Sequence, residues 1–217
     1  MGSVRVFLVD DHPLVRHGLR AVLASDQDVV VVGEASNGRE AVEKMLALPP
    51  ESSPDLVVMD LQMPEMDGLE ATRQLKEVRP DTAVLILTVN NSEMFLLEAV
   101  RAGAAGYLLK DTSSEMLLPT IRALVQGASL IPADLLQKAV RAQATRVSDG
   151  DVEPLTEREL EILRMLARGM AYQEIADTLS LAYVTVKKHS LNVVAKLGVS
   201  DRTQAVLKAV RLGLVEV

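Results

Sequence analysis

The chain has no cysteine and no tryptophan, and only three histidines, three tyrosines and two phenylalanines among 217 residues. Without thiols, disulfide scaffolds, cysteine zinc sites, iron–sulfur clusters and thiol catalysis are excluded. Three histidines leave too little material for a histidine-rich metal site. Aromatic residues make up 2% of the chain, too few for the stacking platforms on which OB-folds and RRM domains seat bases. No apolar run approaches the ~18 residues that a membrane span needs. The first residues, MGSVRVFLVDD, pass directly into a strand-like run, so no signal peptide is expected. Val6 stands where N-myristoylation wants Ser or Thr. Serine-hydrolase, dinucleotide-binding and P-loop motifs are absent as well. A chain of this kind is expected in the cytoplasm, away from membranes.

What remains is 48% hydrophobic and 24% charged, ordinary for a globular protein. The length suits two domains of roughly 100 residues. The net charge of −7 is unevenly spread. Residues 1–130 hold 11 Lys and Arg against 19 Asp and Glu. Residues 182–211 hold six cations against Asp201 alone. An acidic front and a basic patch near the back imply two domains with different partners.

Over the first 130 residues two periodicities alternate. Strand-like runs occur at Val4–Val9, Val29–Gly33, Leu56–Met59, Ala83–Thr88 and Gly106–Leu109. Helical spacing fills 13–25, 38–48, 67–78, 92–102 and 113–126, with Leu14, Leu19, Val22 and Leu23 forming the apolar stripe of the first. Strand and helix repeated five times predict an α/β fold: a doubly wound, five-stranded parallel sheet. Residues 131–153 read as a linker with an amphipathic helix (Leu135, Leu136, Ala139, Val140) and a polar breaker at Ser148–Asp151. From 154 to 217 the pattern is helical only. Thr156 and Glu159 form a capping box, and Gly169 ends that first helix. Helices at 172–179, 183–197 and 201–212 follow, the first two joined at helix-turn-helix spacing.

In a parallel sheet, functional residues gather at the carboxyl ends of the strands. Asp10 and Asp11 end the first strand, Asp60 the third, Thr88 the fourth and Lys110 the fifth. Clustered carboxylates repel one another unless a cation joins them. Mg²⁺ suits one or two carboxylates and leaves room for phosphate oxygens. The set fits phosphoryl transfer onto Asp60 as nucleophile, with the metal and Lys110 neutralising charge. His12, with no neighbouring ligands in sequence, reads as a surface residue. At the other end, Thr185, Lys187, Lys188 and His189 lie on the amino-terminal half of the third helix, where a recognition helix reads the major groove. Lys196 and Arg202 stand further along as candidate backbone contacts.

The segments FLVDDHPLVRHGL, DLVVMDLQMPEMDGLEAT, ILT and AGAAGYLLKD resemble the receiver domain of two-component response regulators. LTERELEILRMLARG, EIADTLSLAYVTVKKH and KLGVSDRTQAV are similar to the LuxR-type helix-turn-helix. Together they resemble the NarL/FixJ family over nearly the whole chain. The resemblance implies that Asp60 is the phosphoacceptor and that Asp10, Asp11, Asp60 and the backbone carbonyl of Gln62 hold Mg²⁺. It implies Thr88 as sensor of the phosphoryl group, Tyr107 as the aromatic switch and Lys110 as partner of the phosphoryl oxygens. The implied partners are a sensor histidine kinase, promoter DNA, the transcription machinery and, on activation, a second copy of the chain. The implied role is a phosphorylation-gated transcription factor and not an enzyme.

Several residues depart from the family pattern. Val89 follows Thr88 where a small residue is usual; Asp111 rather than a proline follows Lys110, which is usual in this subfamily. Gln62 and Asn90 stand where the family tunes phosphoryl lifetime. Ala182 and Tyr183 replace Ser or Thr and Glu, which removes the N-cap of the recognition helix, worth ~1 kcal/mol. At 190 and 191 the usual apolar–polar order is reversed to Ser190-Leu191. Core positions at 186, 190, 193, 194 and 197 place Ser190 inside, with the carbonyl of Val186 as its expected partner, and Leu191 on the DNA side. On that pattern, exchanging the two residues is expected to stabilise the domain. Val206, Val210 and Leu214 are either a dimer contact or core. Two other classes remain: a phosphorelay or protein-interaction regulator with weak DNA binding, and an aspartyl-phosphate phosphatase. Gln62 speaks against the phosphatase, where a second Asp is needed.

Overall fold

The computed structural model describes residues 3–49, 52–89, 92–131 and 153–216. Its strands are β1 (Val4–Val9), β2 (Val29–Ala35), β3 (Leu56–Asp60), β4 (Ala83–Thr88) and β5 (Gly106–Leu109). They pair in parallel in the order β2-β1-β3-β4-β5. All five residues of β3 are buried, as a central strand covered on both faces requires. Period-two alternation divides β1 between two cores. Phe7 and Val9 join Met59 and Ile86 on one face, while Val6 and Leu8 join Val58 and Leu85 on the other.

Five helices wind around this sheet: α1 (Pro13–Leu23), α2 (Gly38–Ala47), α3 (Gly68–Val78), α4 (Glu93–Ala102) and α5 (Leu117–Val125). Pro13 opens α1, where its missing N–H costs nothing. Asn37 and Asp67 cap α2 and α3 through the amides of Glu40 and Glu70. Gly103 ends α4 in the left-handed conformation. Two expectations need correction. Leu14 is 83% exposed rather than part of the apolar stripe, because it lies on the side of α1 opposite the buried Leu23, while Val15 in the same turn is half-buried. The last helix of this domain starts as a short 3₁₀ turn, Ser114–Met116, before α5 proper. The expected linker helix and breaker fall on residues outside those described.

The second domain comprises α6 (Glu157–Ala167), α7 (Tyr172–Leu179), α8 (Tyr183–Lys196) and α9 (Arg202–Arg211). The capping box is present: Glu159 N–H donates to Thr156 Oγ1 at 3.3 Å and Thr156 N–H to the Glu159 carboxylate at 2.9 Å. Ala182, at the N-cap of α8, supplies no side-chain cap, as its sequence requires. Ile162, Leu163, Leu166, Val186, Val193 and Val206 form a separate core. Val206 is buried in that core, and Val210 and Leu214 pack against it while partly exposed.

The two domains touch. Gln204 on α9 donates its side-chain N–H to the carbonyls of Val100 (3.0 Å) and Arg101 (2.8 Å), which cap the last turn of α4. The Thr203 hydroxyl donates to the Ala104 carbonyl at 3.5 Å. Tyr172 N–H donates to the Gln126 carbonyl at 2.8 Å and the Tyr183 hydroxyl to that of Val125 at 3.4 Å. Val100, Ile131 and Leu207 form a small buried cluster across the seam.

Candidate phosphoacceptor site and nucleic-acid interface

The sheet order reverses between β1 and β3, so their carboxyl ends open a crevice. Asp10 follows β1 and Asp60 is the last residue of β3; they are 1% and 5% exposed. Lys110, just past β5, reaches both: its ammonium lies 2.6 Å from Asp10 Oδ2 and 2.8 Å from Asp60 Oδ2. Thr88 ends β4 and is buried beside them. Burial pushes the Asp60 carboxyl above its ordinary pKa; the Lys110 hydrogen bond and charge pull the other way, and Asp10 adds repulsion. For Lys110 burial works against the charged form, but the bonds to Asp10 and Asp60 win, and its pKa lies above the ordinary value.

The loop behind Asp60 is built for close approach. Gly68 N–H donates to the Leu61 carbonyl at 2.9 Å. A Cβ at Gly68 would run into the backbone carbonyl oxygen of Asp60, so only glycine lets α3 start this near the nucleophile. Gly68→Ala is therefore expected to destabilise the first domain by about 2–3 kcal/mol through overpacking. Denaturant unfolding measures this, and an unchanged midpoint would mean the loop can move aside.

The acidic group suits a hard divalent cation. Ligand atoms of Asp10, Asp11, His12 and Asp60 lie within 4.8 Å of one another. Asp11 Oδ1 is buried and accepts no hydrogen bond; the His12 ring lies 2.6 Å away. Three carboxylates gathered this closely are what a hard divalent ion would satisfy. His12, although 69% exposed as expected of a surface residue, belongs to this group, which its position in sequence did not indicate. Gln62 is exposed beside Asp11 at the mouth of the crevice, and Val89, next to Thr88 in sequence, is exposed. Tyr107, the second residue of β5, is half-buried and packs against the core face that holds Met59 and Ile86; burial raises its phenol pKa.

The expected DNA-reading residues do not form one free face. Lys188 is exposed and Thr185 and His189 are half-buried on α8. Lys196 turns back to Glu159, 2.8 Å away, within its own domain. The Arg202 guanidinium lies 5.2 Å above the Tyr172 ring. Lys187 and Arg202 both face a cleft shared with the first domain. Sequence reasoning missed Tyr172 altogether. Its hydroxyl lies 3.1 Å from Ser190 Oγ, and its ring meets Tyr183 edge-on at 6.0 Å. Val186, Ser190, Val193, Val194 and Leu197 are all buried, as their spacing predicts. The partner of Ser190 is the Tyr172 hydroxyl, not the Val186 carbonyl. That partner is an argument against the expectation that exchanging Ser190 and Leu191 stabilises the domain.

Comparison with known proteins agrees with this layout. Residues 6–122 match the response regulator receiver domain and residues 153–209 the bacterial regulatory proteins of the luxR family. The chain belongs to the response regulators with a LuxR-type domain. It is 39% identical over 218 residues, 99% of its length and 98% of the relative's, to the uncharacterized transcriptional regulatory protein YxjL of Bacillus subtilis. It is 39% identical over 214 residues to the response regulator protein VraR of Staphylococcus aureus, covering 99% of this chain and all of VraR. Among solved structures, response regulator ChrA of a heme-sensing two-component system matches with 37% identity and a TM-score of 0.51, over 99% of this chain and 100% of that one. The response regulator RcsB bound to DNA matches at 25% identity and a TM-score of 0.55, over 97% of this chain and 100% of that one. This response regulator is thus a transcriptional regulator, not an enzyme, with a receiver domain ahead of a DNA-binding domain. Receiver domains bind Mg²⁺ in an acidic pocket, and the aspartate cluster here is of that type. Among the described residues no helix is long and apolar enough to cross a membrane.

Proposed function

We propose that a sensor histidine kinase phosphorylates Asp60 and that the phosphoryl group releases α8 from the receiver domain. One observation carries this reading: the carbonyls that grip the second domain belong to Val100, Arg101, Ala104, Val125 and Gln126. These residues lie on α4, α5 and the turns beside β5, next to the elements that hold Thr88, Tyr107 and Lys110. A rearrangement at the phosphoryl group reaches the grip through one strand and one helix.

When bound, Mg²⁺ held by Asp10, Asp11, Asp60 and the Gln62 carbonyl supplies charge neutralisation for an incoming phosphoryl group. Asp60 presents the nucleophilic oxygen. Lys110 is already positioned to receive phosphoryl oxygens in place of carboxylate ones. Thr88 offers a hydroxyl at the same edge. Freed from the seam, Lys187 and Arg202 join Lys188, Thr185 and His189 in contacting promoter DNA, as a homodimer on paired half-sites that engages the transcription machinery in the cytoplasm.

Gln204→Ala removes two side-chain hydrogen bonds to α4, each worth about 0.5–1.5 kcal/mol. The unphosphorylated variant is expected to bind promoter DNA several-fold more tightly than the parent at equal salt. Phosphorylation should then add less to the variant than to the parent. Titration of labelled promoter DNA measures both. Equal affinity of the unphosphorylated parent and variant, with the usual gain on phosphorylation, would remove the seam from the gating mechanism.

A further inference from the structure

The seam between the domains encloses a cleft of about 640 Å³, within the range of small-molecule sites. Four buried polar side-chain atoms in its walls have no hydrogen-bond partner: Arg5 Nε, Ser53 Oγ, Arg79 Nε and Arg202 Nη1. Two of these arginines are held by backbone carbonyls and the third by a ring. Arg5 donates from Nη2 to the Ser52 carbonyl at 2.6 Å, and Arg79 from Nη2 to the Leu48 carbonyl at 2.7 Å. Arg202 stacks on Tyr172. None of the three, nor Lys187, is paired with a carboxylate among the described residues.

The acidic residues of the cleft are committed elsewhere. Asp55 accepts the backbone N–H of Arg5 at 2.8 Å. Asp201 caps α9 through Gln204 N–H at 3.0 Å and accepts the Ser200 hydroxyl at 2.8 Å. Only Asp81, on the exposed rim, has no such engagement among the described residues. Three guanidinium groups and a lysine that line one cleft without a carboxylate partner make an electrostatic setting for an oxyanion. Arginine forks match phosphate oxygens in geometry as well as charge. The volume exceeds that of one phosphate, and Leu191 and Val194 give the remaining wall an apolar character.

We propose that this cleft binds a phosphate-bearing small molecule, with the phosphate toward Arg5, Arg79 and Arg202 and the remainder against Leu191 and Val194. Such a ligand spans both domains. It binds the closed arrangement alone and shifts the population toward it. It also occupies Lys187 and Arg202, two of the cations that DNA needs. By linkage, ligand and promoter DNA weaken one another to the same degree. The site lies apart from Asp60, so binding itself requires neither phosphorylation nor the gating mechanism proposed above; only the antagonism with DNA rests on that reading.

The probe is inorganic pyrophosphate, titrated by calorimetry into the full, unphosphorylated chain with EDTA present and ionic strength held constant with chloride. Saturable binding at one site per chain is expected. Arg5→Gln with Arg79→Gln should weaken it at least about tenfold, as loss of charge-assisted bonds implies. These two residues belong neither to the acidic crevice nor to the DNA-reading helix, so pyrophosphate held at either of those places would bind the double variant unchanged. Should the double variant fail to fold, Arg79→Gln alone is expected to weaken binding as well. Pyrophosphate should lower the promoter affinity of the parent and leave that of the double variant unaltered. No saturable binding, or equal affinity in parent and variants, overturns the site. Equal loss of promoter affinity in parent and double variant reduces the effect to competition at the DNA surface and overturns the bridging role.

Discussion

Asp60→Asn will abolish labelling of the protein by acetyl phosphate, while the parent is labelled in Mg²⁺ and not in EDTA. The amide has the shape of the carboxylate and its oxygen can still accept from Lys110, but it is not a nucleophile at physiological pH. The expected result is all or none, which a fold defect would imitate unless stability were checked. Here stability should hold or rise. Asp60 is 5% exposed, its carboxyl is pushed up in pKa by burial and by Asp10, and the pair shares a single Lys110 ammonium. Removing one of two crowded carboxylates leaves Lys110 with Asp10 at 2.6 Å and relieves the repulsion. Intact mass spectrometry reads the phosphoryl adduct and thermal melting reads stability. Labelling of the variant to the parent's extent would move the phosphoacceptor elsewhere.

The acidic crevice was legible because each of its members is tied to a strand end, and strand ends are marked by local pattern. β-Branched runs located β1 to β5 to within two residues, and the sheet's parallel winding then forced Asp10, Asp60, Thr88 and Lys110 to one edge. The face of α8 was legible for the same reason: spacing alone placed Val186, Ser190, Val193, Val194 and Leu197 inside. What sequence did not show depends on partners far away along the chain. Lys196 looked like a free cation until α6 brought Glu159 to it from 37 residues upstream. Lys76, on a helix whose pattern is amphipathic, is buried because Thr82 offers its carbonyl at 2.8 Å and the second domain closes over it. The seam itself rests on backbone carbonyls meeting Gln204 and Thr203 across about a hundred residues. No periodicity encodes such a contact.

Exchanging Ser190 and Leu191 shows where pattern and partner disagree, and it is expected to lower the melting temperature. The apolar spacing of α8 favours leucine at 190, an argument that treats the Ser190 hydroxyl as a liability. In the fold it is half of a buried pair with the Tyr172 hydroxyl. Ser190→Leu adds bulk at a site 1% exposed, costing about 1–3 kcal/mol. It also strands the Tyr172 hydroxyl, costing about 1–3 kcal/mol more. Leu191→Ser removes an apolar group from the half-buried wall of the seam. The sum is a loss on the order of 10 °C or more, since 1 kcal/mol moves the melting point of so small a domain by about 4–8 °C. A double-mutant cycle isolates the cause. Tyr172→Phe or Ser190→Ala alone should each destabilise, and the two together should cost less than their sum, because removing both partners leaves no polar group stranded. Melting curves of the full chain at one pH decide it. If the exchanged protein melts at or above the parent, the Tyr172–Ser190 pair contributes nothing, and the leucine that the helical pattern asks for is the better residue at that position.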